Sequence, residues 1–185
     1  KEEPLYVQEG LGIEKYDREG RVLLTEHDGF LLYNIYFPNG QKDDVRLQYK
    51  LDFYDDLLPI INEQVESDNN VIVTGDWNTA HFPIDLARPK ENIRTSGFMP
   101  IERERLDTYV DNGWVDTYRL FHPEPGRYSW WSYRMGARDR NIGWRIDYFF
   151  VNGSFAESCL DADIHDDVMG SDHCPISLSI ENDSS

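Results

Sequence analysis

The sequence predicts a mixed α/β domain in which helices cover a mixed sheet. Three observations carry this expectation. Short β-branched and aromatic runs, each closed by Gly, Pro, Asn or Asp, recur along the 185 residues. One long segment between them places its apolar residues at helical spacing. Strands and helices alternate only in the middle of the chain, whereas the outer strands read as hairpins. No internal boundary or repeat divides the chain, so residues 1–185 form a single domain.

The elements follow in order. GRVLLTEHDGFLLYNIYFPNG reads as two apolar strands around His27-Asp28-Gly29, stopped at Pro38-Asn39-Gly40. DVRLQYKLDFYDDLLPIINEQVES is one long helix despite Pro59. VIVTGD is a strand, and HFPIDLARPKENIRTSGFM a long loop. PIERERLDTYVDNG is a helix introduced by Pro100. YSWWSYR and RIDYFFVN are two further strands, and SDHCPISLSI is a polar turn leading into the last strand. The closing ENDSS reads as a fraying tail.

Composition narrows the function. Aromatic residues make up 14% of the chain and charged residues 29%, a balance suited to a folded domain rather than disorder. No apolar run is long enough to cross a bilayer, so no membrane partner is expected. Cys159 and Cys174 lack zinc-ligand spacing and the density of a disulfide scaffold, and read as reduced thiols of an intracellular, cytoplasmic protein. The net charge of −17 opposes a polyphosphate partner. Positive charge is nevertheless gathered locally: residues 127–145 hold five arginines against one aspartate, and 87–105 add Arg88, Lys90, Arg94, Arg103 and Arg105. This distribution counts for a nucleic-acid partner, with the face bearing Arg134, Arg138, Arg140 and Arg145 as the expected contact and a steep salt dependence.

The chemistry lies at strand ends. In VIVTGDWNTA, strand alternation puts Asp76 and Asn78 on one face and Trp77 on the other. Tyr36 and Asn39 close an earlier strand, Asp147 sits within RIDYFF, and Asp172-His173 precedes the last strand. Each has an ordinary structural explanation as a turn or corner residue. Together they place acid, amide, phenol and imidazole groups beside apolar strands, where unpaired carboxylates are costly. That combination favours a hard-cation, oxygen-ligand site and metal-assisted phosphodiester hydrolysis.

NIYFPNG, GDWNTAH, IDLARPKEN, GFMPIERE, GWVDTYR, YSWWSYR, NIGWRIDYFFVN and SDHCPI, in that order, resemble the exonuclease III family of apurinic/apyrimidinic (AP) endonucleases, within the DNase I-like superfamily. The resemblance spans essentially the whole chain. It implies a DNase I-like α/β sandwich of two mixed β-sheets flanked by helices. It also implies hydrolysis of the phosphodiester 5′ to abasic sites in double-stranded DNA, with 3′–5′ exonuclease or 3′-phosphodiesterase activity, on nucleoid or nuclear DNA. The alternatives are a deoxyuridine-type damaged-base endonuclease and a catalytically inactive DNA-binding protein.

By the same resemblance, Tyr36 is the phenol near the scissile phosphate and Asp76 orients or deprotonates the attacking water. Asn78 bonds the phosphate, Asp147 orients His173, and His173 binds the phosphate. Asp172 is the expected metal ligand, with Asp76, Asn78 and His173 as further candidates, and the metal is Mg²⁺ with Mn²⁺ as the alternative. Asn39, Lys90 and Asn92 match positions that contact the DNA backbone. Trp130 and Trp144 match aromatics lining the pocket for the extruded sugar. The family's opening Asn-bearing strand and the following metal-binding Glu are not found ahead of Tyr36, and Glu9 does not take the Glu's place. The expectation is a member lacking its N-terminal strands, about the first quarter: either a fragment completed by a complementary N-terminal segment, or a shortened chain of doubtful activity.

Overall fold

The computed structural model describes residues 3–181; the four residues of the expected tail at 182–185 lie outside the described residues. A six-stranded sheet forms the centre, in the order β1 (Tyr6–Glu9), β2 (Val22–His27), β3 (Phe30–Tyr36), β4 (Val71–Asp76), β8 (Asp147–Asn152) and β5 (Trp114–Asp116). Only β3 and β4 are parallel, joined by the crossover helix α2 (Asp44–Glu66), while the short helix α1 (Glu14–Asp17) lies between β1 and β2 in the chain. A two-stranded antiparallel sheet, β9 (Cys159–Ile164) with β10 (Ile176–Ile180), packs through Leu178 and Ile180 near Ile72 and Val151 on one face. A small ribbon pairs β6 (Trp130–Trp131) with β7 (Gly143–Trp144). The second sheet is thus antiparallel among the described residues.

The expected hairpin is β2–β3, paired from Val22–Ile35 to His27–Phe30. Helix α2 begins where Asp43 accepts a hydrogen bond from the Arg46 backbone N–H at 2.8 Å. It buries Leu51, Phe53, Tyr54, Leu57, Leu58 and Ile61 on one stripe. Pro59 does not end it because that position is exposed, so the Asp55 carbonyl it leaves unpaired meets water. The helix expected after Pro100 is α4 (Pro100–Asp111).

Two expected elements differ. YSWWSYR forms only the two-residue strand β6, because Tyr133 leaves the extended conformation (φ −62°, ψ −12°) and leads into a 3-10 turn at Arg134–Gly136. The long loop after β4 is partly folded: a 3-10 turn at Pro83–Asp85 and a short helix, α3 (Pro89–Asn92), punctuate it.

Beneath the site lies an aromatic stack. Trp77 is fully buried, 4.3 Å from Phe37 in a stacked arrangement and 5.2 Å edge-on from Tyr109. Phe150 on β8 approaches Trp77 to 4.6 Å. Gly75 lets β4 close on its parallel neighbour: its φ is +125°, and a Cβ there would sit 2.0 Å from the Ile35 carbonyl oxygen. Gly75→Ala should therefore cost about 3 kcal/mol or more, combining steric overlap with backbone strain. Urea denaturation measures this, and an unchanged midpoint would show that β3 and β4 can part to admit a methyl group.

Candidate active site

Strand register assembles the centre. Tyr36 on β3 lies opposite Asp76 on β4, and Asp76 lies opposite Asp147 on β8. Three side chains from three adjacent strands thus form one row at the sheet's end, on the face away from α2. Tyr36 is half exposed, with the Arg21 guanidinium 5.1 Å from its ring centre.

Asp76 and Asn78 do converge, though not by strand alternation. The strand ends at Asp76, and Asn78 takes a left-handed conformation with φ +53°. That geometry costs about 1 kcal/mol and is one Asn adopts more readily than most residues. The Asn78 backbone N–H donates to Asp76 Oδ1 at 2.8 Å, forming an Asx turn. Its Nδ2 donates to the Phe37 carbonyl at 2.8 Å and to Asp76 Oδ2 at 3.2 Å, while its Oδ1 accepts from Asn39 Nδ2 at 2.9 Å. Asn78 therefore braces Asp76, and Asn39 braces Asn78.

Asp147 Oδ2 accepts from His173 Nδ1 at 2.9 Å. A carboxylate can only accept there, so the Nδ1 proton stays in place and Nε2 faces Asp76, 4.0 Å from its Oδ2. The Ser129 hydroxyl also donates to Asp147 Oδ2, at 2.6 Å, and takes hydrogen bonds from the Ile146 and Asp147 N–H groups. Sequence reasoning misses Ser129, because a serine beside Trp130 in a segment that reads as a strand carries no polar signal of its own.

The ribbon ties this centre to the last loop. Trp131 N–H donates to the Asp172 carbonyl, and Cys174 N–H to the Ser129 carbonyl. Trp130 Nε1 donates to Asp172 Oδ2 at 3.1 Å. Trp130 and Trp144 meet edge-to-face, 6.3 Å apart and half buried, with Phe98 against Trp144. Lys90 and Asn92 stand apart from the cluster on α3, where Asn92 donates to the Arg88 carbonyl.

The expected basic face needs correction. Arg145 is fully buried: it holds Asp116 through two bonds of 3.0 and 2.6 Å and Asp85 through one of 2.9 Å. Arg138 is spent on the carbonyls of Asp166, Val168 and Ser171. Of the four arginines, Arg134 and Arg140 are exposed. Guanidinium groups with several donors serve as internal braces, which a run of arginines in sequence cannot reveal.

Burial is the main force on Asp76, and with the nearby charge of Asp147 it pushes this carboxyl up to about 7. The Asn78 N–H, His173 and Lys50 pull the other way and only moderate the rise. Burial also opposes a charged His173, but the hydrogen bond and charge of Asp147, with Asp76 and Asp172 behind, raise the imidazole above its ordinary value. For Asp172, burial is outweighed by the bond from Trp130 and the charge of His173, so its carboxyl stays below the usual range.

The donors suit a hard cation. Yet among the described residues no group of three or more His, Cys, Asp or Glu side chains is gathered closely enough to hold a metal ion. Asp172 is engaged by Trp130, and Asp147 by Ser129 and His173. The residues present do not by themselves complete a divalent-ion site.

The profile of the Endonuclease/Exonuclease/phosphatase family matches residues 1–173. The chain belongs to that family. It is 47% identical over 181 residues to an exodeoxyribonuclease of Bacillus subtilis, covering 97% of this chain and 71% of that protein. It is 40% identical to a DNA-(apurinic or apyrimidinic site) endonuclease of Dictyostelium discoideum, covering 98% of this chain and 51% of that one. An AP endonuclease structure from Archaeoglobus fulgidus superposes with a TM-score of 0.87 at 28% identity, over 98% of this chain and 72% of its own. A Neisseria 3′ phosphatase bound to a product DNA hairpin gives 0.89 at 25% identity, over 96% and 71%. The DNase I-like fold expected from sequence is the fold observed.

The raised Asp76 carboxyl has a consequence for stability. An unfolded aspartate loses its proton near 3.8, whereas the folded one keeps it to about 7. Between those values the native state binds a proton that the unfolded state has released, so stability falls as pH rises through the window. The penalty is complete above it. Asp76→Asn should therefore melt above the parent protein at pH 8, with the advantage vanishing toward pH 4. A parent protein more stable than the variant at pH 8 would contradict the assignment.

Proposed function

We propose that this protein is a DNA-repair nuclease that hydrolyses the phosphodiester 5′ to abasic sites in duplex DNA. The observation that carries this reading is the row of Tyr36, Asp76 and Asp147 across three paired strands, with His173 held between the two carboxylates. The chain's relatives, an exodeoxyribonuclease and two AP endonucleases among them, support it.

In this reading Asp76 takes a proton from the attacking water through a carboxyl poised near neutrality, where a general base works best. His173, whose protonated form the Asp147 hydrogen bond favours, binds the phosphate through Nε2. A phosphate oxygen would replace Asp76 as acceptor in the longer Asn78 bond, at 3.2 Å. Tyr36 supplies a phenol at the exposed end of the row. Lys90, Asn92 and Asn39 contact the DNA backbone, joined by the exposed Arg134 and Arg140. Trp130 and Trp144 line the space for the abasic sugar. The family expectation of a divalent cation, Mg²⁺ or Mn²⁺, names Asp172 as its ligand, but the described residues do not complete that site, and the roles given to Asp76, Asn78 and His173 do not depend on it. An intracellular setting follows from the DNA substrate; no described helix is long and apolar enough to cross a membrane.

The similarity to an exodeoxyribonuclease and to a 3′ phosphatase supports a second activity at 3′ ends through the same centre. A nicking assay on a duplex with one abasic site tests the main reading, with blocked-3′-end and deoxyuridine duplexes as parallel substrates. Asp76→Asn should lower abasic nicking by about 100- to 10,000-fold, as loss of a general base does, and His173→Ala, which removes a phosphate-binding donor, by about 100- to 1,000-fold. Near-parental nicking by either variant would overturn the role of the residue replaced. Faster cleavage of the deoxyuridine duplex would replace the proposed substrate.

A further inference from the structure

Lys50 lies on α2 with no solvent exposure, and so does Glu102 at the start of α4. The Lys50 ammonium donates to Glu102 Oε1 at 2.6 Å and to the backbone carbonyl of Asn78 at 2.7 Å. Buried ion pairs of this kind add little net stability compared with apolar packing, so fold stability alone is a weak reason to keep one. The second bond of Lys50 is the informative one, because it ends on the residue that braces Asp76.

Four residues later on the same helix, Tyr54 donates its hydroxyl to the Trp77 carbonyl. Lys50 and Tyr54 stand one turn apart and grip two successive carbonyls. With those carbonyls drawn toward α2, the Asn78 N–H and side-chain amide are left facing Asp76. Glu102 is fixed from its other side: its oxygens accept from Ser96 Oγ at 2.9 Å, Gly97 N–H at 2.6 Å and Met99 N–H at 3.1 Å. The Gly97 carbonyl in turn accepts from Ala80 N–H, just beyond the turn. At Gly97 an added Cβ would lie 3.1 Å from the Asn78 carbonyl oxygen, so this wall stands close against the same atom.

We propose that the buried Lys50–Glu102 pair is a positioning device for the Asp76–Asn78 turn. It holds the left-handed backbone of Asn78 so that both Asp76 carboxyl oxygens stay hydrogen-bonded and Oδ2 stays aimed toward His173. Lys50 is fully buried and does not touch substrate; it acts through Asn78. This inference rests on the proposed nuclease function only for its kinetic consequence, since the geometric claim concerns Asn78 itself.

Lys50→Met alone leaves the Glu102 charge buried without a partner and is expected to impair folding. The test therefore uses the neutral double variant Lys50→Met with Glu102→Gln in the full chain. Amide hydrogen exchange by NMR follows the Asn78 backbone and side-chain protons, with the Val73 amide in β4 as the internal reference. Asn78 exchange should accelerate by about 10-fold or more while Val73 stays within about 2-fold, the pattern of local rather than global loosening. On an abasic duplex, kcat should fall by about 10- to 100-fold with KM within about 3-fold, as misplacement of a reacting group predicts. Unchanged Asn78 protection overturns the proposal whatever the activity. So does an unchanged kcat, or equal loosening of Val73 and Asn78, which would mark the pair as merely structural. If the parent protein does not nick abasic DNA, the proposed function fails, and Asn78 exchange alone decides the role of Lys50.

Discussion

Trp77 is buried against Phe37, Tyr109 and Phe150, and it cannot leave that stack without opening the core. Because it is anchored inward, Asp76 takes the opposite side at the end of a strand flanked by β3 and β8, and the Asx turn brings Asn78 back to it. The parallel register of β3 with β4 and the antiparallel register of β4 with β8 then set Tyr36, Asp76 and Asp147 side by side. Gly75 allows this closeness by carrying no side chain against the Ile35 carbonyl. The apolar core thus fixes the polar row, and the row's composition fixes what chemistry is available.

That composition is electrostatically tense. Two carboxylates share a poorly solvated strand end, with one imidazole between them. Asp147 is satisfied by Ser129 and His173, so the tension falls on Asp76, whose proton is held to about 7. A group that is costly to ionise during folding is well suited to accept a proton near neutral pH. Stability and catalysis are opposed at this one side chain, as they commonly are at strained sites. The surrounding braces, Asn39, Asn78 and the buried Lys50, hold it in place despite that cost.

Much of this is legible in the sequence. The hairpin β2–β3 announces itself through turn residues, and α2 through a stripe strong enough to override Pro59. Asp76, Asn78, Asp147 and His173 stand out only as a set: each alone reads as a turn or corner residue, but together they gather acid, amide and imidazole groups beside apolar strands. Strand alternation accounts only in part for the pairing of Asp76 and Asn78, since the strand stops at Asp76 and an Asx turn brings Asn78 back. Other contributors are hidden for physical reasons. Lys50 and Glu102 lie 52 residues apart, and each reads locally as a solvated helix charge. Arg145 sits in an arginine-rich segment that suggests a surface, yet two aspartates from distant parts of the chain enclose it. Buried polar networks are made by tertiary pairing, and neither periodicity nor local composition encodes the partner.

Asp76, Asp147 and His173 form one electrostatic unit at the end of the sheet, and the chemistry proposed for the site depends on it. Carbon-13 NMR titration of the Asp76 carboxyl tests this directly, in the parent protein and in an Asp147→Asn variant. The expected midpoint is near 7 in the parent, lowered when the neighbouring negative charge is removed. A midpoint close to that of an ordinary aspartate, or one indifferent to Asp147, would contradict the coupling.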